Sequence, residues 1–173
     1  MSLLLLTAAP EVRHKQGLIV KINEIAPGVN LKIFDRVESK EIERKWMSTF
    51  CKNQQGFNTK AYKWHIFSGG GYPSVAGEEA QKAYESHVSA KYIVMANDGE
   101  SAILTDLRPT HLNYHDIYVF PQNMAWTMAF THEEGWLGPY FAKHPNYSAL
   151  EKDNETHRKK REQIEIAKNK GWL

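Results

Sequence analysis

From Gly17 to Ile25 apolar and polar residues follow a period of two, Leu18, Val20 and Ile22 against Ile19, Lys21 and Asn23, which predicts a strand ended by Pro27-Gly28. Val29 to Phe34 predicts a second. The period then lengthens: Ile42, Trp46 and Phe50 recur every four residues, the spacing of a helix with one buried stripe, and Ser39 is its expected N-cap. Cys51 lies beside Met47 near that stripe and is expected to be a buried, unreactive thiol. Asn53 to Thr59 reads as a loop, Tyr62 to Phe67 as a short aromatic strand, and Ser68 to Ser74 as a glycine-rich connection into a helix over Gly77 to Val88. Ala80, Ala83, Tyr84 and Val88 or His87 form its apolar side. Asn97-Asp98-Gly99-Glu100 between Lys91–Ala96 and Ser101–Thr105 is a hairpin signal, since Asp-Gly tolerates positive φ. A second pair, Ile117–Phe120 and Met124–Phe130, is joined by Pro121-Gln122-Asn123. Past Gly135, Trp136 to Phe141 reads as a Gly/Pro-rich aromatic loop, followed by a polar helix from about Ala149 to Asn169 with Ser148 and Glu151 as a capping box.

Four neighbouring strands imply an α+β fold: a single domain with a mainly antiparallel, twisted sheet, helices packed on one face and a polar C-terminal helix. Residues 1–150 form the body and 151–173 the helix of the same domain. Composition agrees, since 42% hydrophobic and 24% charged residues in a 173-residue chain exclude disordered, collagenous and coiled-coil classes. No apolar run reaches the roughly 20 residues of a membrane span, and Leu3 to Leu6 with Ala8 and Ala9 is too short for a signal sequence, so no membrane association and a cytoplasmic location are expected. One cysteine excludes an intramolecular disulfide. The formal charge of +2 is small for a protein that wraps a phosphate backbone. That excess sits in the tail, where Arg158, Lys159, Lys160 and Arg161 make a basic run interleaved with acidic residues, so it reads first as a solvated helix face and only second as a nucleic-acid contact.

Candidate chemistry is sparse. Gly69-Gly70-Gly71 before a helix invites a phosphate cradle, but no Gly-Lys-Ser/Thr follows and Glu78 and Glu79 occupy the helix's first turn. Eight histidines raise a metal site, with His65, His111, His115, His132, His144, Asp116, Glu133 and Glu134 as available ligands. None stands at a diagnostic spacing, so no metal and no cofactor are assigned. No G-x-S-x-G elbow is present. The best catalytic constellation is Thr131-His132-Glu133-Glu134 at a strand end, with His65 as distant partner; paired carboxylates at Glu133 with Asp116 or Asp106 are a separate pattern that nearly any chain with 20 acidic residues offers, and they single out no chemistry. The alternative is a capping box between Thr131 and Glu134, with His132 in a structural hydrogen bond. Trp136, Tyr140 and Phe141, beside Glu133 and Glu134, form the candidate binding surface.

Trp64-His65-x-Phe67-Ser68, Gly77-Glu78-Glu79-Ala80, Tyr92-Ile93, Trp126-Thr127, Thr131-His132-Glu133-Glu134 and Gly138-Pro139-Tyr140-Phe141 follow in an order that resembles a small bacterial domain family of unknown function. The resemblance spans residues 64–141. It implies a bacterial or mobile-element origin, an α+β domain, and Thr131 to Phe141 as the segment of interest, and it carries no activity.

Three functions follow as expectations. The leading one is a non-enzymatic binding or accessory protein of the immunity type, taking a protein partner or small ligand at the 131–141 loop. The second is a metal-assisted or acid–base hydrolase using His132 with Glu133 or Glu134 and His65. The third is nucleic-acid contact through the C-terminal helix. The short apolar N-terminus can add a strand or pair with a second copy of the chain, which leaves a homodimer as an open expectation.

Overall fold

In a computed structural model, residues 27–99, 101–110, 116–133 and 135–172 are described. The strand expected over Gly17 to Ile25 lies outside them. Among the described residues seven strands form one sheet: β1 (Asn30–Ile33), β2 (Val75–Ala76), β3 (Tyr92–Ala96), β4 (Ile103–Thr105), β5 (Ile117–Pro121), β6 (Trp126–Phe130) and β7 (Tyr140–Lys143). Their order across the sheet is β1-β4-β3-β5-β6-β7-β2, and every pairing is antiparallel. Among the described residues four helices pack with the sheet: α1 (Arg36–Phe50), α2 (His65–Ser68), α3 (Gly77–Ser86) and α4 (Tyr147–Asn169). The α+β class and the antiparallel sheet are as the sequence implies.

The helices divide between both faces of the sheet rather than one, and the strands show why. Ile93, Met95, Tyr118, Phe120, Ala129 and Tyr140 point to one side and join Trp46 and Phe50 of α1 and Ile66 and Phe67 of α2. Tyr92, Val94, Val119, Trp126, Met128 and Phe141 point to the other and join Ala80 and Tyr84 of α3, with Tyr147 and Leu150 of α4 at the margin. With apolar side chains on both sides, each face needs a cover. On the first face Trp46 is fully buried and packs 4.8 Å from the Tyr118 ring, while its indole N–H donates to Thr127 Oγ1 at 2.9 Å. Thr127, an apparent interruption of the apolar strand, is therefore the polar partner that lets a tryptophan be buried there.

Several local expectations change. Asp35, not Ser39, caps α1: its side chain accepts from the N–H groups of Val37 and Glu38, and Glu38 returns a bond to the Asp35 N–H. The acidic capping box starts the helix four residues earlier and leaves Ser39 to stitch α1 to the sheet, accepting from the Ala102 N–H at 3.0 Å. Tyr62 to Phe67 is not a strand but turns leading into α2, because the Ser68 and Gly69 N–H groups bond back to Trp64 and His65. A short aromatic-rich stretch such as Tyr62-Lys63-Trp64-His65-Ile66-Phe67 is too brief for periodicity to settle its state, and contacts with α1 and the sheet decide it. The β3–β4 hairpin forms, with Gly99 at φ +77°, but its last rung is Val94–Ile103, and Met95 and Ala96 pair only with β5. Tyr140 and Phe141 lie in β7 rather than a loop. Helix α4 begins at Tyr147 without a side-chain cap, so the Ser148–Glu151 box does not form and Glu151 instead accepts from Asn154. As its polarity implies, α4 buries only Asn154, and Arg161 ties it to the carbonyls of Ala90 and Asp106. Among the described residues no helix is long and apolar enough to cross a membrane.

Two outcomes are expected. Thr127→Val leaves the buried Trp46 N–H without an acceptor and should cost about 1–3 kcal/mol of stability, read from urea unfolding. Cys51 is 1% exposed at the end of α1, and burial pushes its thiol up to about 12. It should therefore resist a disulfide reagent at pH 8 in the folded protein and react on unfolding.

Candidate functional site

The register of β5 on β6 pairs Ile117 with Phe130, so the residues just beyond that end of the ladder, Asp116 and Thr131-His132, meet. Asp116 takes a left-handed backbone, φ +62°, and is buried. Its Oδ1 accepts the Trp64 indole N–H at 2.7 Å and the His132 backbone N–H at 3.3 Å, and both its oxygens lie 2.9 Å from His132 Nδ1. An ionised carboxylate can only accept, so Nδ1 carries the proton and Nε2 is the atom left for chemistry. Nε2 stands 3.7 Å from Glu133 Oε1. The imidazole is 32% exposed and packs 4.7 Å from the Tyr62 ring and 5.9 Å from Trp64.

Asn97, at the β3 end, holds the 61–65 segment in place. Its side-chain oxygen accepts from the Lys63 N–H and the Tyr118 hydroxyl, both at 3.0 Å, and its amide donates to the Ala61 carbonyl at 2.7 Å. The Tyr118 hydroxyl also accepts from the Trp64 N–H at 3.0 Å, and burial holds it protonated well above the ordinary tyrosine range. Lys63, itself buried, places its ammonium on the Asn97 carbonyl and on Glu43, each at 2.8 Å. These bonds fix the rings of Tyr62 and Trp64 against His132. His65 touches the same two rings, at 5.5 Å and 4.4 Å, so the histidines share neighbours.

The second part of the site is the turn between β6 and β7. The Glu133 carbonyl accepts from the N–H groups of Trp136 and Leu137, both at 2.9 Å, and Thr131 Oγ1 donates to the Leu137 carbonyl. Gly138, at φ +99°, brings the backbone against Thr131, where a Cβ would lie 2.8 Å from that side chain. The turn is thereby closed, yet Trp136 at its tip is 88% exposed. It lines an open groove of about 830 Å³ with Glu78 and Gln81 of α3 and with Leu137, Pro139 and Tyr140.

Of the three aromatics expected to form a binding surface, only Trp136 is presented. Tyr140 and Phe141 are 5% and 2% exposed, because β7 pairs with β6 on one side and β2 on the other. Burial raises the Tyr140 hydroxyl, against the Ser68 hydroxyl bonded to it. Asp116, not Asp106, is the carboxylate at the site, since Asp106 faces Arg161 and the Val29 N–H. His144 belongs to the turn before α4, where its Nδ1 accepts from the Asn146 N–H. His111, His115 and Glu134 lie outside the described residues. Among the described residues no group of three His, Cys, Asp or Glu side chains is close enough to hold a metal ion.

A family model described as a domain of unknown function, DUF4275, matches residues 19–141. The chain belongs to the DUF4275 family. The match begins well before Trp64, where the motif resemblance starts, and takes in β1 and α1. All the residues of the site fall within the DUF4275 domain, while α4 follows it. No curated protein and no solved structure matches the chain.

Asp116→Ala should destabilise the domain by about 1–3 kcal/mol in urea unfolding, because the buried Trp64 N–H and the His132 imidazole lose their acceptor together. Asp116→Asn, which keeps one oxygen and tolerates a left-handed backbone, should cost less.

Proposed function

We propose that this DUF4275 protein is a small, non-enzymatic binding protein of the accessory, immunity-like kind, and that Trp136 is the centre of its recognition surface. The observation that carries this reading is the pairing of 88% exposure with a turn closed by the hydrogen bonds from Trp136, Leu137 and Thr131. A large aromatic side chain in water on a fixed backbone has no role in the core, and it can bury much area against a partner at a low cost in ordering. The nucleic-acid reading has less support: Arg158 faces Glu162 at 3.6 Å, Lys159 faces Glu155 at 2.8 Å, and Arg161 is spent on the sheet end.

A second reading keeps one specific observation, the Asp116–His132 contact. A carboxylate holding Nδ1 is the arrangement in which an imidazole accepts and returns a proton at Nε2, with Glu133 beside it, and this supports acid–base chemistry.

The two readings separate in a comparison of Trp136→Ala with His132→Ala. Binding through Trp136 should fall by about 30-fold or more in Trp136→Ala, with an unchanged Tm, when partners from host extract are captured on immobilised protein and their affinity is measured. His132→Ala should retain them. Loss in His132→Ala alone would move the assignment to the acid–base reading, and self-association lost in Trp136→Ala would identify the partner as a second copy of the chain.

A further inference from the structure

We propose that the groove beside Trp136 receives a cationic side chain, an arginine or lysine on an extended segment of a partner protein. The proposal rests on the binding reading and names the chemistry of what is bound. Three features of the groove point the same way.

The first is the ring: Trp136 is 88% exposed, and among the described residues no cation lies over it, although Lys170 covers Trp172 and Lys143 covers Tyr147 elsewhere. The indole face is the strongest of the side-chain attractors for a guanidinium or ammonium. The second is charge. Glu78, whose side chain is 93% exposed, lines the groove from α3, and Glu79 follows it in the same first turn. Lys82 approaches Glu78 only at 3.7 Å across open solvent, a contact weak enough to yield to an incoming cation. An anionic group would meet the Glu78 carboxylate on the α3 wall, and a purely apolar surface would strip water from Glu78 without replacing it. The third is shape. The groove holds about 830 Å³, and Ala76 of the outermost strand, β2, forms part of its wall. A segment lying extended along that edge can deliver a long basic side chain onto the ring while its backbone runs beside β2.

The test uses the full chain and three capped tripeptides, Gly-Arg-Gly, its citrulline analogue and Gly-Glu-Gly, titrated while the indole N–H signals are followed by NMR. The arginine peptide should shift the Trp136 signal, assigned by its loss in Trp136→Ala, with a Kd of order millimolar. The citrulline peptide should bind at least tenfold more weakly and the glutamate peptide not at all. Glu78→Gln should weaken the arginine peptide severalfold and leave Tm unchanged, as should raising the salt concentration. Equal binding of arginine and citrulline peptides, a preference for glutamate, or no response to the arginine peptide up to about 10 mM would overturn the proposal. Partner capture lost in Trp136→Ala but indifferent to Glu78→Gln and Glu79→Gln together would also overturn it while leaving the binding reading in place. Capture indifferent to Trp136→Ala would remove both.

Discussion

The sheet of this protein is apolar on both sides, and that constraint organises everything else. Strands β3, β5, β6 and β7 alternate large side chains between two clusters, so neither face can be left to water. Helices α1 and α2 close one face, and α3 with the start of α4 closes the other. Indole and phenol groups supply much of the area, and most of their polar atoms are matched, although the Trp126 indole N–H is buried without a partner. Trp46 finds Thr127, Trp64 finds Asp116, Tyr84 finds the Pro109 carbonyl, and Tyr92 accepts from the Ser89 N–H. The polar residues inside this core are therefore placed by the aromatics.

That dependence explains where the candidate site sits. The Trp64 indole needs an acceptor at the sheet end, and Asp116 provides it from a left-handed backbone just before β5. The same carboxylate then reaches His132, which the antiparallel register sets opposite. Structural and chemical demands meet on one side chain, and Glu133, one residue further, anchors the turn that carries Trp136.

Much of the fold was legible in the chain. The four-residue recurrence of Ile42, Trp46 and Phe50, the Asp98-Gly99 turn and the alternation of Met124 to Phe130 are local signals, and the elements they imply are present. What misled were positions where a local signal competes with tertiary contacts. Gly138-Pro139 marks a turn, and the strand beginning at Tyr140 directly after it is decided by pairing with β6, which no local pattern reveals. Ser39 is a good capping residue preceded by a better one. At the site, His132, Glu133 and Trp136 stood out by type, but the bond from His132 to Asp116 depends on strand register. Pairing Ile117 with Phe130 across the expected hairpin was the signal that placed it.

The closure of the β6–β7 turn also bears on time. Trp136 stands on backbone bonded at both ends into the sheet, so the free protein already holds the geometry it would have when bound. Encounter is then limited by mutual orientation rather than by waiting for a loop to find its shape. Under the binding reading proposed for Trp136, differences in affinity among related partners would be expressed in how long a complex lasts and hardly at all in how fast it forms.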